Sequence, residues 1–272
     1  MCLAATLEMF RSQRLSPEPL SWMAMGPTAV AGGSPANRKT RPLRLSHVVD
    51  LTQTLSPKFP SWPGYPSIEV RNTHNYARDG FLANAWHVHE HSGTHVDAPL
   101  HFSAQGWSAA EIPQESLVVP AVVIDIRGRV RRDPDTQVRM EDIRAWEKKH
   151  GRVPRGAAVL MWSGWERRAG DQAAYRNMDN QGIMHFPGFS REAAEFLVKE
   201  RTAGGVGVDT LSLDYGPSTN FGAHFAVLPA NRWGIENLTN LGRIPLKGAT
   251  LFVGVPRVQG ASGGPSRILA VW

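Results

Sequence analysis

Val118-Val119-Pro120-Ala121-Val122-Val123-Ile124-Asp125-Ile126 is the stretch on which the fold reading turns. This run of β-branched residues reads as a buried strand, and Ala157 to Trp162 and Gly205 to Asp209 read the same way. Two helical patterns lie between them. Met140 to His150 places Ile143 and Trp146 on one side and stops at Gly151. Ser190 caps Arg191 to Arg201, whose apolar stripe is Ala194, Leu197 and Val198, with Gly204 as the stop. Strands alternating with helices, without an internal repeat, predict a single α/β domain.

Outward from this centre, Leu251 to Val255 reads as a last strand before a turn over Gly260 to Pro265. On the other side, His47 to Leu51 opens the domain with a short strand, and Pro57 to Pro66 is a loop. Residues 1–45, rich in Pro, Gly, Ser and Arg, read as a poorly ordered leader, so the folded domain is expected over 46–272. Arg11 and Arg14 precede an uncharged stretch holding Ala29-Val30-Ala31, a cleavage-like triplet. Pro17, Glu18, Pro19 and Pro27 spoil it as a signal core, and the expected location is cytoplasmic, with secretion as the alternative.

Composition narrows the chemistry. The 272 residues are 42% hydrophobic and 20% charged, enough for a sizeable core. Cys2 is the only cysteine, which excludes a disulfide framework and a thiolate zinc site. The net charge of +6 raises the question of nucleic acid. The basic residues are scattered, however, and the densest runs, Arg38 to Arg41 and Arg127 to Arg132, read as a tail and a turn. Neither a nucleic-acid partner nor a membrane is expected, since no apolar run reaches the roughly 18 residues of a spanning helix.

Against one cysteine stand ten histidines, five of them between His87 and His101. In an extended chain His91, His95, Asp97 and His101 share one side. A straight strand would still hold His91 and His95 about 13 Å apart, too far for metal bonds of roughly 2 Å. Ligation therefore requires a sharp bend, and Gly93-Thr94 is where it fits. His87 and His89 read as ordinary strand residues.

The segment His91-Ser92-Gly93-Thr94-His95-Val96-Asp97-Ala98-Pro99-Leu100-His101 matches H-x-G-T-H-x-D-x-P-x-H. By this pattern the chain resembles the metal-dependent cyclase-like hydrolases, the family of bacterial kynurenine formamidases and isatin hydrolases. The likeness runs from Asp50 to the C-terminus through Trp62-Pro63-Gly64, Gly207 to Ser212 and Glu236-Asn237-Leu238. It implies an α/β fold of the swivelling β/β/α type with a mixed sheet, and a homo-oligomer, dimer or tetramer.

It also implies a site. His91, His95 and Asp97 would hold a first divalent ion; Asp97, His224 and Glu236 would hold a second. His101 would be the acid–base residue, and Trp62 would border the substrate. One departure is that Tyr65 follows Gly64 where the family often has Asp. Gly182 to Phe189 looks closer to the isatin hydrolase side.

The residue chemistry agrees. Imidazoles and carboxylates without thiolates suit zinc or manganese. Two ions sharing a carboxylate acidify water and polarise a carbonyl, and a histidine near them can pass a proton to a departing amine. Trp62, Phe81, Trp86 and Phe186 are candidate walls for an aromatic substrate. The expected function is hydrolysis of a non-peptide C–N bond in a small aromatic amide. An arylformamide such as N-formylkynurenine leads, with a cyclic amide such as isatin as the alternative. A non-catalytic metal-binding protein and a ring-closing cyclase are the further alternatives.

Overall fold

A computed structural model describes residues 45–65 and 68–272. The leader expected over residues 1–45, with its cleavage-like triplet, falls outside the described residues except for Leu45.

Thirteen strands are present among the described residues. They are β1 (Val48–Asp50), β2 (Glu69–His74), β3 (Ala83–His87), β4 (His95–Asp97), β5 (Val118–Asp125), β6 (Gln137–Val138) and β7 (Ala158–Trp162). They continue as β8 (Gly188–Phe189), β9 (Gly205–Val208), β10 (Trp233–Glu236), β11 (Lys247–Gly254), β12 (Gly263–Pro265) and β13 (Arg267–Val271). Nine form one sheet in the order β1-β13-β11-β5-β7-β9-β10-β4-β12. Its middle, β5-β7-β9-β10, is parallel, and antiparallel strands extend it on both sides.

The parallel middle is covered on both faces, as such sheets require. Along β5 and β7 the residues alternate between two cores. Val123 and Leu160 enter one, and Val122, Val159 and Met161 enter the other. Helices α1 (Met140–His150) and α2 (Arg191–Arg201) seal the second core with Ile143, Trp146, Ala194 and Leu197. The first core takes Leu251 and Ile268 from one end of the strand order and Val96 and Ile235 from the other. One core shared by both ends means that the sheet curls around it.

The expected mixed α/β fold is thus present, with β5, β7, β9 and both helices at their read positions. The strand read over Leu251 to Val255 starts earlier, as β11 at Lys247, and it is not the last, since β13 follows the turn. Two further boundaries differ. Helix α2 ends on Thr202 in the left-handed conformation (φ 53°), two residues before Gly204. The Gly260 to Pro265 turn is in its second half strand β12, which pairs with β4. The paired strands β2 and β3 stand outside the main sheet, and every residue of β2 is exposed. Residues Arg127 and Arg129 of the basic run are held in ion pairs with Asp125 and Asp142. No helix among the described residues is long and apolar enough to cross a membrane.

Candidate metal centre

Strand β4 is the centre's axis. Its alternation puts His95 and Asp97 on one face, and pairing with β10 sets Glu236 opposite His95. Asp97 lies between two glycines, Gly234 on β10 and Gly263 on β12. A Cβ at position 234 would sit 3.1 Å from Asp97 Oδ2, so a larger residue would crowd the carboxylate.

The bend before β4 falls on Gly93, in the left-handed region at φ 63°. Its carbonyl accepts from His95 Nδ1 and from Asn237 Nδ2, both at 2.9 Å. Thr94 Oγ1 donates to Asn237 O at 2.6 Å, which ties the bend to the end of β10. After β4, the one-turn 3-10 helix Pro99–His101 folds back and stacks the His101 ring on His91, centroids 3.9 Å apart. His224 comes from the short helix α3 (Gly222–Val227). Asp214 organises it: its carboxylate accepts from Ala223 N at 2.7 Å and from His224 Nδ1 at 2.6 Å.

Five of the residues expected from sequence converge. His91 Nδ1 lies 2.7 Å from Asp97 Oδ1, and His95 Nε2 lies 3.3 Å from the same oxygen. His95 Nε2 is 3.4 Å from Glu236 Oε2, and His224 Nε2 is 3.3 Å from Glu236 Oε1 and 3.7 Å from Asp97 Oδ2. His95 and His224 each have the far nitrogen occupied, by the Gly93 carbonyl and by Asp214, so Nε2 is the nitrogen turned inward. That is the arrangement of metal-ligating imidazoles. His95 Nε2 and Asp97 Oδ2 are buried without a hydrogen-bond partner. Buried polar atoms are seldom left so, and a cation between them would satisfy both. The donor set fits a divalent ion.

The electrostatics agree. Burial opposes charge on His95, yet the Asp97 and Glu236 carboxylates, 3.3 and 3.4 Å from Nε2, outweigh this and raise its pKa to about 10. Burial likewise opposes charge on His224, and Asp214, Asp97 and Glu236 hold its pKa well above the usual imidazole value. Burial alone would raise Asp97, but the imidazoles of His224, His91 and His95 hold it well below the carboxylate range. The cradle demands positive charge. His101 behaves oppositely: burial, helped by repulsion from His91 and His224 and opposed by Asp97 and Glu236, lowers it to about 4. It is neutral at pH 7. The donor atoms of His91, Asp97 and His101 lie within 4.8 Å of one another, as do those of His95, Asp97 and Glu236.

A pocket of about 250 Å³ opens over these groups. Trp62, His91, Asp97, His101, His224 and Glu236 line it, and His95, absent from the lining, is 1% exposed. The remaining aromatic walls are Tyr65, at the corner where the sequence departs from the family pattern, and Phe102 and Phe221, which the sequence reading missed as walls. Phe102 adjoins the motif and Phe221 precedes His224 by three residues, which was the available signal. Three nominated aromatics do not line the pocket. Trp86 and Phe81 belong to the exposed β2–β3 region, at 70% and 50% exposure, and Phe186 is fully buried against Trp165 and Tyr175. His89, read as a strand residue, lies under the Tyr65 ring at 4.3 Å and borders the pocket. Asp214 was also missed.

Comparison with known proteins gives the chain's family. The model of the Cyclase family, described as "Putative cyclase", matches residues 49–215. Isatin hydrolase of Roseibium aggregatum is 34% identical over 241 residues, covering 82% of this chain and 91% of that protein. Kynurenine formamidase of Sphingopyxis alaskensis is 29% identical over 230 residues, covering 83% and 98%. Among solved structures, isatin hydrolase A from Ralstonia solanacearum superposes with a TM-score of 0.78 at 37% identity, covering 83% of this chain and 91% of that one. On the family model and the near full-length relatives together, the chain belongs to the Cyclase family.

Proposed function

We propose that residues 46–272 form one metal-dependent hydrolase domain that cleaves the C–N bond of a small aromatic amide. The observation that carries the reading is the pair of buried, unpartnered atoms His95 Nε2 and Asp97 Oδ2 beneath an aromatic-walled pocket. His91, His95 and Asp97 would hold one ion, and Asp97, His224 and Glu236 a second, zinc or manganese by donor type. Bound there, such ions supply Lewis acidity toward a carbonyl oxygen and lower the pKa of water.

The protein's own groups do the rest. Trp62, Phe102 and Phe221 wall the space in which an aryl group stacks. His101, neutral at pH 7, takes a proton from the attacking water through a ring nitrogen as the C–O bond forms. It returns that proton to the amide nitrogen as the C–N bond breaks, leaving a carboxylate and an amine. With a formamide the two products separate; with a cyclic amide they remain one molecule.

N-formylkynurenine and isatin are the two substrates to test, each supported by a relative that covers most of the chain. The solved isatin hydrolases, at 33–37% identity, favour isatin as the first assay. A cytoplasmic homodimer or tetramer belongs to the same reading, and light scattering measures its mass. The deciding experiment strips the protein with chelator, reloads zinc or manganese, and follows both substrates. Activity that appears only on reloading is expected, and hydrolysis that survives complete metal removal overturns the reading.

A further inference from the structure

His91 differs from the other two imidazoles of the centre. His95 and His224 face inward through Nε2, whereas His91 faces Asp97 through Nδ1 and turns Nε2 outward to Ser262 Oγ at 3.0 Å. Ser262 is 171 residues away in sequence and reaches the site in the loop that enters β12. Its hydroxyl lies 2.5 Å from Glu90 Oε2, and its backbone N–H donates to the same oxygen at 2.9 Å.

A serine hydroxyl has one proton. Beside a carboxylate that proton goes to Glu90 in a charge-assisted bond, so toward His91 the hydroxyl accepts. His91 Nε2 therefore donates to Ser262, and Nδ1 is the nitrogen that faces Asp97, where a bound ion would take the place of the proton between them. The backbone of β12 closes against the same ring: a Cβ on Gly263 would lie 2.9 Å from His91 Cε1. His101 stacks on the ring's face. The ring's edge and outer nitrogen are constrained from outside the centre, and its face by His101 within it.

We propose that Glu90 and Ser262 are a positioning pair that sets the orientation of His91 and, through the ring stack, that of His101. This rests on the metal-dependent reading, since the pair acts by aiming His91 Nδ1 at a bound ion. The partners that orient ligands from behind commonly change metal affinity by 10–100-fold when lost.

The test compares wild type, Ser262→Ala, Ser262→Thr and Glu90→Gln, each stripped and titrated with cobalt(II) against a competing chelator. Metal content and the visible cobalt spectrum are read beside circular dichroism. Ser262→Ala is expected to weaken cobalt binding at least tenfold and to alter the spectrum. Ser262→Thr, which keeps the hydroxyl, should restore both, and Glu90→Gln should fall between. If Ser262→Ala does not fold, Glu90→Gln carries the test alone. Wild-type affinity and spectrum in every folded variant overturn the pair's role while leaving the hydrolase reading intact. A wild-type protein that binds no cobalt overturns both.

Discussion

The candidate centre has an inner and an outer half, built by different means. His95, Asp97 and Glu236 sit on two hydrogen-bonded strands, and their mutual placement follows from register and alternation. His91 and His101 sit on a bend and a single 3-10 turn, and their rings are held by each other and by Ser262. Inside, backbone pairing places the groups before any ion arrives. Outside, placement depends on side-chain partners, so single substitutions should separate the halves.

The largest expected effect comes from the group shared by both. Asp97→Asn should abolish metal retention and activity together, read as metal content beside kcat/KM, because all three imidazoles face this carboxylate. An asparagine variant that keeps its full metal content would break the inner-half picture. Next is His101→Ala, expected to lower kcat by about 10²- to 10⁴-fold with metal content unchanged, the range for a lost acid–base group. Metal lost along with turnover would move His101 among the ligands, where its distance from His91 and Asp97 would also allow it.

Asp214→Asn should cost about 10- to 100-fold in metal affinity, since it loosens His224 from behind. Affinity equal to wild type would show that helix α3 alone positions that ring. The smallest effect is a control on burial without a cation. Asp209 is fully buried like Asp97, but its partners are the Ser163 hydroxyl and the backbone N–H groups of residues 163–165. Burial, with the Glu166 charge adding to it, outweighs these donors and raises Asp209 to about 7. Between an unfolded value near 4 and about 7 the folded state holds the extra proton, so this group's contribution to stability falls as pH rises. The Tm difference between Asp209→Asn and wild type should therefore shift toward the variant by a few degrees from pH 4 to pH 7. A difference independent of pH would remove the contrast with Asp97.

What could be read from sequence was what is local. Strands β5, β7 and β9 and helices α1 and α2 carry their own periodicity and caps. The ligand pattern from His91 to His101 is compact enough to recognise, and the bend it requires is at Gly93. Strand β12 was hidden because two glycines and a proline have no strand signal of their own; it exists through pairing with β4. Asp214 and Ser262 act through hydrogen bonds to residues distant in sequence, which no spacing rule reports. Phe81 and Trp86 show the converse error: near the motif along the chain, they lie outside the pocket lining.

The position of β4 has a consequence for folding. Three residues long, it is held between a strand some 140 residues later and another near the C-terminus. Pairings of such sequence separation are slow to form, and no early fragment of the chain contains the assembled centre. On the metal-dependent reading, capture of a cation by the full set of ligands would follow closure of the sheet around its core. Its free energy then stabilises the whole sheet, by about 2.7 kcal/mol at a free-ion concentration one hundred times Kd. Metal supply would set how long the protein survives, as well as how fast it works.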